Sequence, residues 1–242
     1  MMEKIIYTET FDDGPGGWLG WDKNGAFRLE IKDSSIISES PWWIDCNHCF
    51  PGAGFLHILF ALHTSHKNIN PEPLIRVADR NRFVDGNFPT DFTGAKITLK
   101  IKGEVDLKGS NLYLLVQGNI GKIWVNQIFT GYPIKITKDW SIQSFTLIPD
   151  QKFWTQLGSR EDRKNTYGEG PIEKLLANVN GDIIFVLFPL NVAPVDKNVD
   201  PYKGWAERDY EVDREKLPSG YVMLDEAEIE FNRGIYDTEK KG

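Results

Sequence analysis

The sequence predicts an all-β protein, an antiparallel β-sandwich of jelly-roll type with one short helix. Three observations carry that prediction. Short runs rich in β-branched and aromatic residues alternate in polarity and recur along the chain. Gly, Pro, Asn and Asp punctuate them. Only one stretch, PIEKLLANV at 171–179, has helical spacing, with Pro171 near its start.

Taken in order, residues 4–11 (KIIYTETF) alternate, and residues 27–32 (FRLEIK) alternate strictly, each reading as one strand. Residues 54–64 (GFLHILFALHT) form a strongly apolar run. Residues 95–102, 111–117 and 143–148 are amphipathic strands, 182–190 (DIIFVLFPL) reads as buried on both faces, and 220–231 closes the domain. Strong strands at both ends predict a single domain over 1–231, followed by a polar tail over 232–242. Irregular stretches at 65–91, 157–170 and 191–219 are long for a compact β domain, which marks them as candidate functional loops.

The bulk numbers narrow the function. A chain of 242 residues can bury a large core. A formal net charge of −7 argues against nucleic-acid binding, which needs a surplus of Lys and Arg. No apolar run approaches the roughly 20 residues of a membrane-spanning helix. The first residues lack a charged-then-apolar signal pattern, so the expectation is a cytoplasmic chain, or a secreted one if a leader has been removed. Two cysteines cannot supply a disulfide framework in a chain this long.

All four histidines and both cysteines fall between residues 46 and 66. Strand phasing over 54–64 places Leu56, Ile58, Phe60 and Leu62 on one face and Phe55, His57, Leu59, Ala61 and His63 on the other. Over 111–117, Tyr113, Leu115 and Gln117 oppose Leu112, Leu114 and Val116. His57, His63, Tyr113 and Gln117 combine ring faces with donors and acceptors, the mixture that a cleft for sugar hydroxyls uses. Trp42, Trp43 and Trp124 add flat rings, and Arg80 and Arg82 come from the long loop.

Five segments carry a resemblance: ETFDDGPGGWLGW (9–21), DFTGAKITLKIKG (91–103), LYLLVQG (112–118), ITKDWSIQSFTLIPDQKFW (136–154) and PSGYVMLDEAEIEF (218–231). Their layout resembles the galactose-binding-like jelly-roll domains found among carbohydrate-binding modules. The resemblance covers most of the chain and implies a sandwich that binds carbohydrate. It also implies a structural Ca²⁺ where the first and last strands meet, with Glu9, Asp12 and Asp225 in the acidic positions and backbone carbonyls completing an oxygen shell. The expectation of a single domain, longer than a typical module and without an attached catalytic domain, departs from the pattern of an appended module, and jelly rolls also occur as stand-alone lyases and hydrolases.

Cys46, Cys49, His63 and His66 form a nominal zinc set. Their spacing is shorter than in a zinc finger, and a strand flips alternate side chains, so the pattern argues against zinc. Cys46-x-x-Cys49 leads into a Pro-Gly turn rather than a helix, which argues against a redox pair. Acid–base chemistry is the enzyme alternative. His48 or His57 would be the base, oriented by Asp45, with Tyr113 as acid and Arg76, Arg80 or Arg82 clamping a carboxylate. That set suits a polysaccharide lyase somewhat better than a glycoside hydrolase, which needs two carboxylates across a bond.

The sequence therefore predicts a protein that binds carbohydrate, or another polar small molecule, on a Trp/His-rich face. The alternative is a glycan-active enzyme. A third reading is an assembly protein whose aromatic surface meets a partner subunit, which allows a homo-oligomer.

Overall fold

The computed structural model describes residues 4–45, 55–65, 80–158, 167–194 and 210–232. His48, His66, Arg76, Cys46 and Cys49 lie outside these residues. In chain order, the first elements are β1 (Ile5–Glu9), β2 (Trp18–Asp22), β3 (Gly25–Arg28), β4 (Glu30–Lys32) and β5 (Ser35–Glu39). Next come β6 (His57–His63), helix α1 (Arg82–Asp85), β7 (Lys96–Asp106), β8 (Asn111–Ile120), β9 (Ile123–Ile128) and β10 (Ser141–Thr146). The short strands β11 (Thr155–Gln156) and β12 (Tyr167–Gly168) precede helix α2 (Ile172–Leu176). The last elements are β13 (Asp182–Phe188), β14 (Ala193–Pro194), β15 (Tyr210–Glu211) and β16 (Ser219–Phe231).

Two sheets form the sandwich. The smaller has the order β10-β7-β16-β5-β4, with β1 also pairing with β16. The larger has the order β11-β9-β8-β13-β6-β2-β3, with β12 joining β9 in a short parallel pair. From β5 onward the chain crosses between sheets: β6 in the larger, β7 in the smaller, β8 and β9 in the larger, β10 in the smaller, β13 in the larger and β16 in the smaller. Such alternation is what a jelly-roll type sandwich requires. Strand β16 pairs with β7 along one edge and with β5 and then β1 along the other.

Between the sheets lies one apolar cluster, drawing on residues from Tyr7 to Phe231. At its centre Trp18 is fully buried, stacks on Phe185 at 5.8 Å and donates Nε1–H to the Tyr7 hydroxyl at 3.1 Å. A second cluster covers the opposite, outer face of the larger sheet, built on Leu56, Ile58, Ala61, Leu115, Ile184 and Val186. The larger sheet is thus apolar on both faces, which accounts for the continuous apolar runs of β6 and β13.

The structure corrects three sequence expectations. Residues 27–32 are not one strand: β3 belongs to the larger sheet and β4 to the smaller, and the buried Leu29 marks the crossing. Two α-helices are present among the described residues, because Asn81 caps a four-residue turn at Arg82–Asp85 by accepting the Val84 N–H at 3.1 Å. The strict alternation of 54–64 breaks at a β-bulge. Phe60 pairs with Phe185 but Ile58 pairs with Val186, so Leu59 is the extra residue. Leu59, Phe60 and Leu62 face the interior, while Leu56, Ile58 and Ala61 join the outer cluster.

Candidate functional site

The bulge decides where the histidines go. His57 pairs with Leu187, an interior residue, whereas His63 pairs with Asp182 on the outer face. The two imidazoles therefore lie on opposite faces of the sheet. His57 is buried, and its Nδ1 lies 2.8 Å from the Trp43 carbonyl oxygen. A carbonyl only accepts, so Nδ1 carries the proton and donates. Burial pushes the His57 pKa down to about 4, partly offset by this bond, so the ring is neutral near pH 7.

Beside His57 the loop after β5 forms the wall of a cleft. Ser40 pins this loop to the start of β16: its N–H donates to Gly220 O at 2.9 Å, and its hydroxyl accepts from Gly220 N at 3.0 Å. Gly220 has φ +133°, and a Cβ there would lie 2.0 Å from Glu104 O, so no other residue fits. Trp42 donates Nε1–H to Ser38 Oγ at 2.9 Å and packs on the His57 ring at 5.8 Å. Trp42 and Trp43, both half-buried, line two adjoining clefts. One, of about 470 Å³, is completed by Asp22, Lys23, His57, Arg214 and Ser219. The other, of about 380 Å³, is completed by Trp21, Phe27, Arg28, Glu30 and Glu39.

The other expected residues are distributed as follows. Asp45 is fully buried and bridges to Leu56 through a 2.9 Å backbone hydrogen bond. Tyr113 pairs with Val186 on the outer face, so it does not share a face with His57. Gln117 and Trp124 also point outward with His63, since Gln117 pairs with Asp182 and Asn126, and Trp124 lies two residues from Asn126. Arg82 is engaged by the fold. Its Nη1 donates to buried Glu9 Oε1 at 2.7 Å, and its Nη2 lies 3.8 Å from Asp13. Arg80 makes an exposed pair with Asp85 at 3.3 Å. Neither arginine lines the Trp42/Trp43 clefts.

The carboxylates expected at a calcium site are not brought together. Glu9 is buried and accepts from Phe11 N and Arg82, and burial raises its pKa against the pull of both. Asp12 is exposed and accepts from Thr10 Oγ1 at 2.8 Å. Asp225 sits at a bulge of β16 and accepts from Ser35 at 3.0 Å and from Lys100 at 2.5 Å. A bulge turns Asp225 away from the strand face that Glu9 shares with Ala227, so these three do not fit one oxygen shell. Among the described residues, no three His, Cys, Asp or Glu side chains gather as a metal-binding group.

Sequence reasoning missed Trp21, Phe27, Asp22, Lys23 and Arg214 as cleft residues. The aromatic-acid pair Trp21-Asp22 ahead of a Lys-Asn-Gly turn was the available signal for the first of them. It also missed Asp182 and Asn126 on the outer face. Asp182 is the lone carboxylate opening the apolar run DIIFVLF, which was the signal there.

The chain matches no family model, no curated protein and no solved structure.

Proposed function

We propose that the protein binds carbohydrate in the paired clefts that Trp42 and Trp43 line. The observation that carries this reading is the shared aromatic lining. Two half-buried indoles line both clefts, with Trp21 and Phe27 in one of them and charged side chains in each. Flat rings suit the apolar faces of sugars, and Asp22, Lys23, Glu39 and Arg214 supply acceptors and donors for hydroxyls. Binding is favoured over acid–base catalysis at His57, because burial lowers its pKa to about 4 and so leaves Nε2, the nitrogen not bonded to the Trp43 carbonyl, a weak base near neutral pH. His57 acts as a positioning residue that fixes the Trp43 backbone.

The test is a titration of the protein with a panel of neutral and acidic oligosaccharides, followed by tryptophan fluorescence and calorimetry. One class binds saturably, and Trp43→Ala weakens it at least about tenfold, equivalent to about 1.4 kcal/mol, with unchanged circular dichroism. The reading fails if no oligosaccharide binds, or if Trp43→Ala binds as the parent does. Release of an unsaturated product absorbing in the ultraviolet would favour the lyase alternative.

A further inference from the structure

The outer face of the smaller sheet carries a pattern that the glycan reading does not use. Alternation through β10 and the residues flanking it turns Trp140, Ile142, Ser144, Thr146 and Ile148 outward, since Phe145 and Leu147 belong to the interior cluster. Ile6 and Thr8 on β1 also point outward, opposite to interior Tyr7. Five large apolar side chains are exposed among the described residues, and four of them lie on this face: Ile142 at 73%, Ile6 at 43%, Ile148 at 40% and Trp140 at 36%. Scattered apolar residues on a surface need no explanation, but four gathered on one face of one sheet do.

Charge is the second feature. The chain carries a formal charge of −7, yet this face is balanced and its signs are segregated by strand. Lys96, Lys100 and Lys102 form a stripe along β7, and Glu226, Glu228 and Glu230 form the next stripe along β16. Register sets Lys100 beside Glu226, Thr98 beside Glu228 and Lys96 beside Glu230. Lys4 and Asp225 add one charge of each sign, and they take Glu230 at 2.6 Å and Lys100 at 2.5 Å. Lys96, Glu226 and Glu228 are left without an ion pair among the described residues.

Two adjacent stripes of opposite sign are complementary to themselves. A two-fold axis between β7 and β16, parallel to both, turns a second copy face down with its β16 over β7 of the first. Lys100 then faces the partner's Glu226, and Lys96 faces the partner's Glu230. β10 lies over β1 of the second copy, which brings Thr146 and Ile148 to the partner's Ile6. An axis across the strands would set lysine on lysine instead. A polyanion laid along the lysine stripe would run only about 4.8 Å from the carboxylate stripe, so a second copy matches this face better than an acidic polymer does. Four strands at about 4.8 Å and about nine residues at about 3.4 Å give a face of about 20 by 30 Å, or about 600 Å² on each copy, at the low end of specific interfaces.

We propose that the outer face of the smaller sheet is the interface of a symmetric homodimer, in which β7 of each copy packs on β16 of the other. The exposed apolar side chains of β10 and β1 flank the charged stripes and are covered in the same step. The dimer does not rest on glycan binding in the Trp42/Trp43 clefts, and the two are measured separately.

The experiment is analytical ultracentrifugation of the full chain from about 1 to 500 µM, in about 0.1 M salt so that charge is only partly screened. The parent forms a dimer with Kd on the order of 10 µM, as an interface of this size gives. Reversing the lysine stripe, with Lys96→Glu and Lys100→Glu together, sets like charges face to face and weakens self-association at least about tenfold. Reversing the carboxylate stripe, with Glu226→Lys and Glu230→Lys together, does the same. Mixed in equal amounts, the two reversed proteins pair with each other, within about tenfold of the parent Kd, because each stripe again meets its opposite. Ile148→Asp, a single exposed change, also weakens the parent dimer. Circular dichroism establishes that each variant is folded before it is scored. The proposal is overturned if the parent stays monomeric throughout, or if its dimer survives either reversal or Ile148→Asp unchanged. It is equally overturned if the folded reversed proteins do not pair when mixed.

Discussion

His57 and His63 stand on the same strand, six residues apart, and occupy different chemistry. His57 faces the interior beside a cleft, gives its one proton to a backbone carbonyl and is held neutral by burial. His63 faces outward and pairs with the Asp182 carboxylate, at one end of a row of buried polar side chains that crosses four strands. One extra residue, Leu59, separates these fates by reversing the pleat between them. The comparison teaches that residue type and spacing alone do not assign a role. The strands that pair with each histidine do.

The comparison can be broken most severely at the core that keeps both faces in place. Trp18→Ala removes the fully buried ring that stacks on Phe185 and bonds Tyr7, and should cost roughly 3–5 kcal/mol in denaturant unfolding. A loss under about 1 kcal/mol would show that the register of β2 against β6 does not depend on that packing.

Next in size is the acid limb of stability, which isolates His57. Its pKa is about 4 folded and about 6.5 unfolded. Between these values the unfolded chain holds a proton that the folded one lacks. Stability contributed at this site is therefore complete above pH 6.5 and falls as pH drops towards 4, by about 3 kcal/mol in all. His57→Gln should flatten that part of the stability–pH curve relative to the parent. An unchanged slope means that the ring is not held neutral.

Arg82 and Arg80 sharpen the same lesson over two positions. Arg82→Met strips the cation from buried Glu9 and should cost about 3 kcal/mol, with oligosaccharide affinity unchanged. Arg80 pairs with Asp85 in the open, so Arg80→Ala should shift stability by less than about 0.5 kcal/mol. A loss of ligand affinity in Arg82→Met without loss of stability would return Arg82 to the binding site.

Much of the fold was legible because alternation is a local signal. The runs at 95–102, 111–117, 143–148 and 220–231 appear as β7, β8, β10 and β16, and the helical spacing at 171–179 appears as α2. The strands β2, β5 and β9 were harder to read. Trp18–Asp22 and Ser35–Glu39 are short, and Ile123–Ile128 carries amides where alternation expects apolar residues. Of the candidate site, the proximity of Trp42, Trp43 and His57 was readable from their density in one stretch. The grouping of His63 with Gln117 followed from phasing, but the expected grouping of His57 with Tyr113 does not form, because the bulge intervenes.

By itself the sequence determined the all-β class, most of the strands, the acidic balance and the aromatic stretch at 41–45, since each depends on composition or on neighbours within a few residues. Only the tertiary structure decided that FRLEIK splits between two sheets, that Arg82 belongs to Glu9, and that Asp182 stands between His63 and Gln117. Register across strands is fixed by packing between residues more than a hundred positions apart, and one inserted residue reverses a face without altering the local pattern.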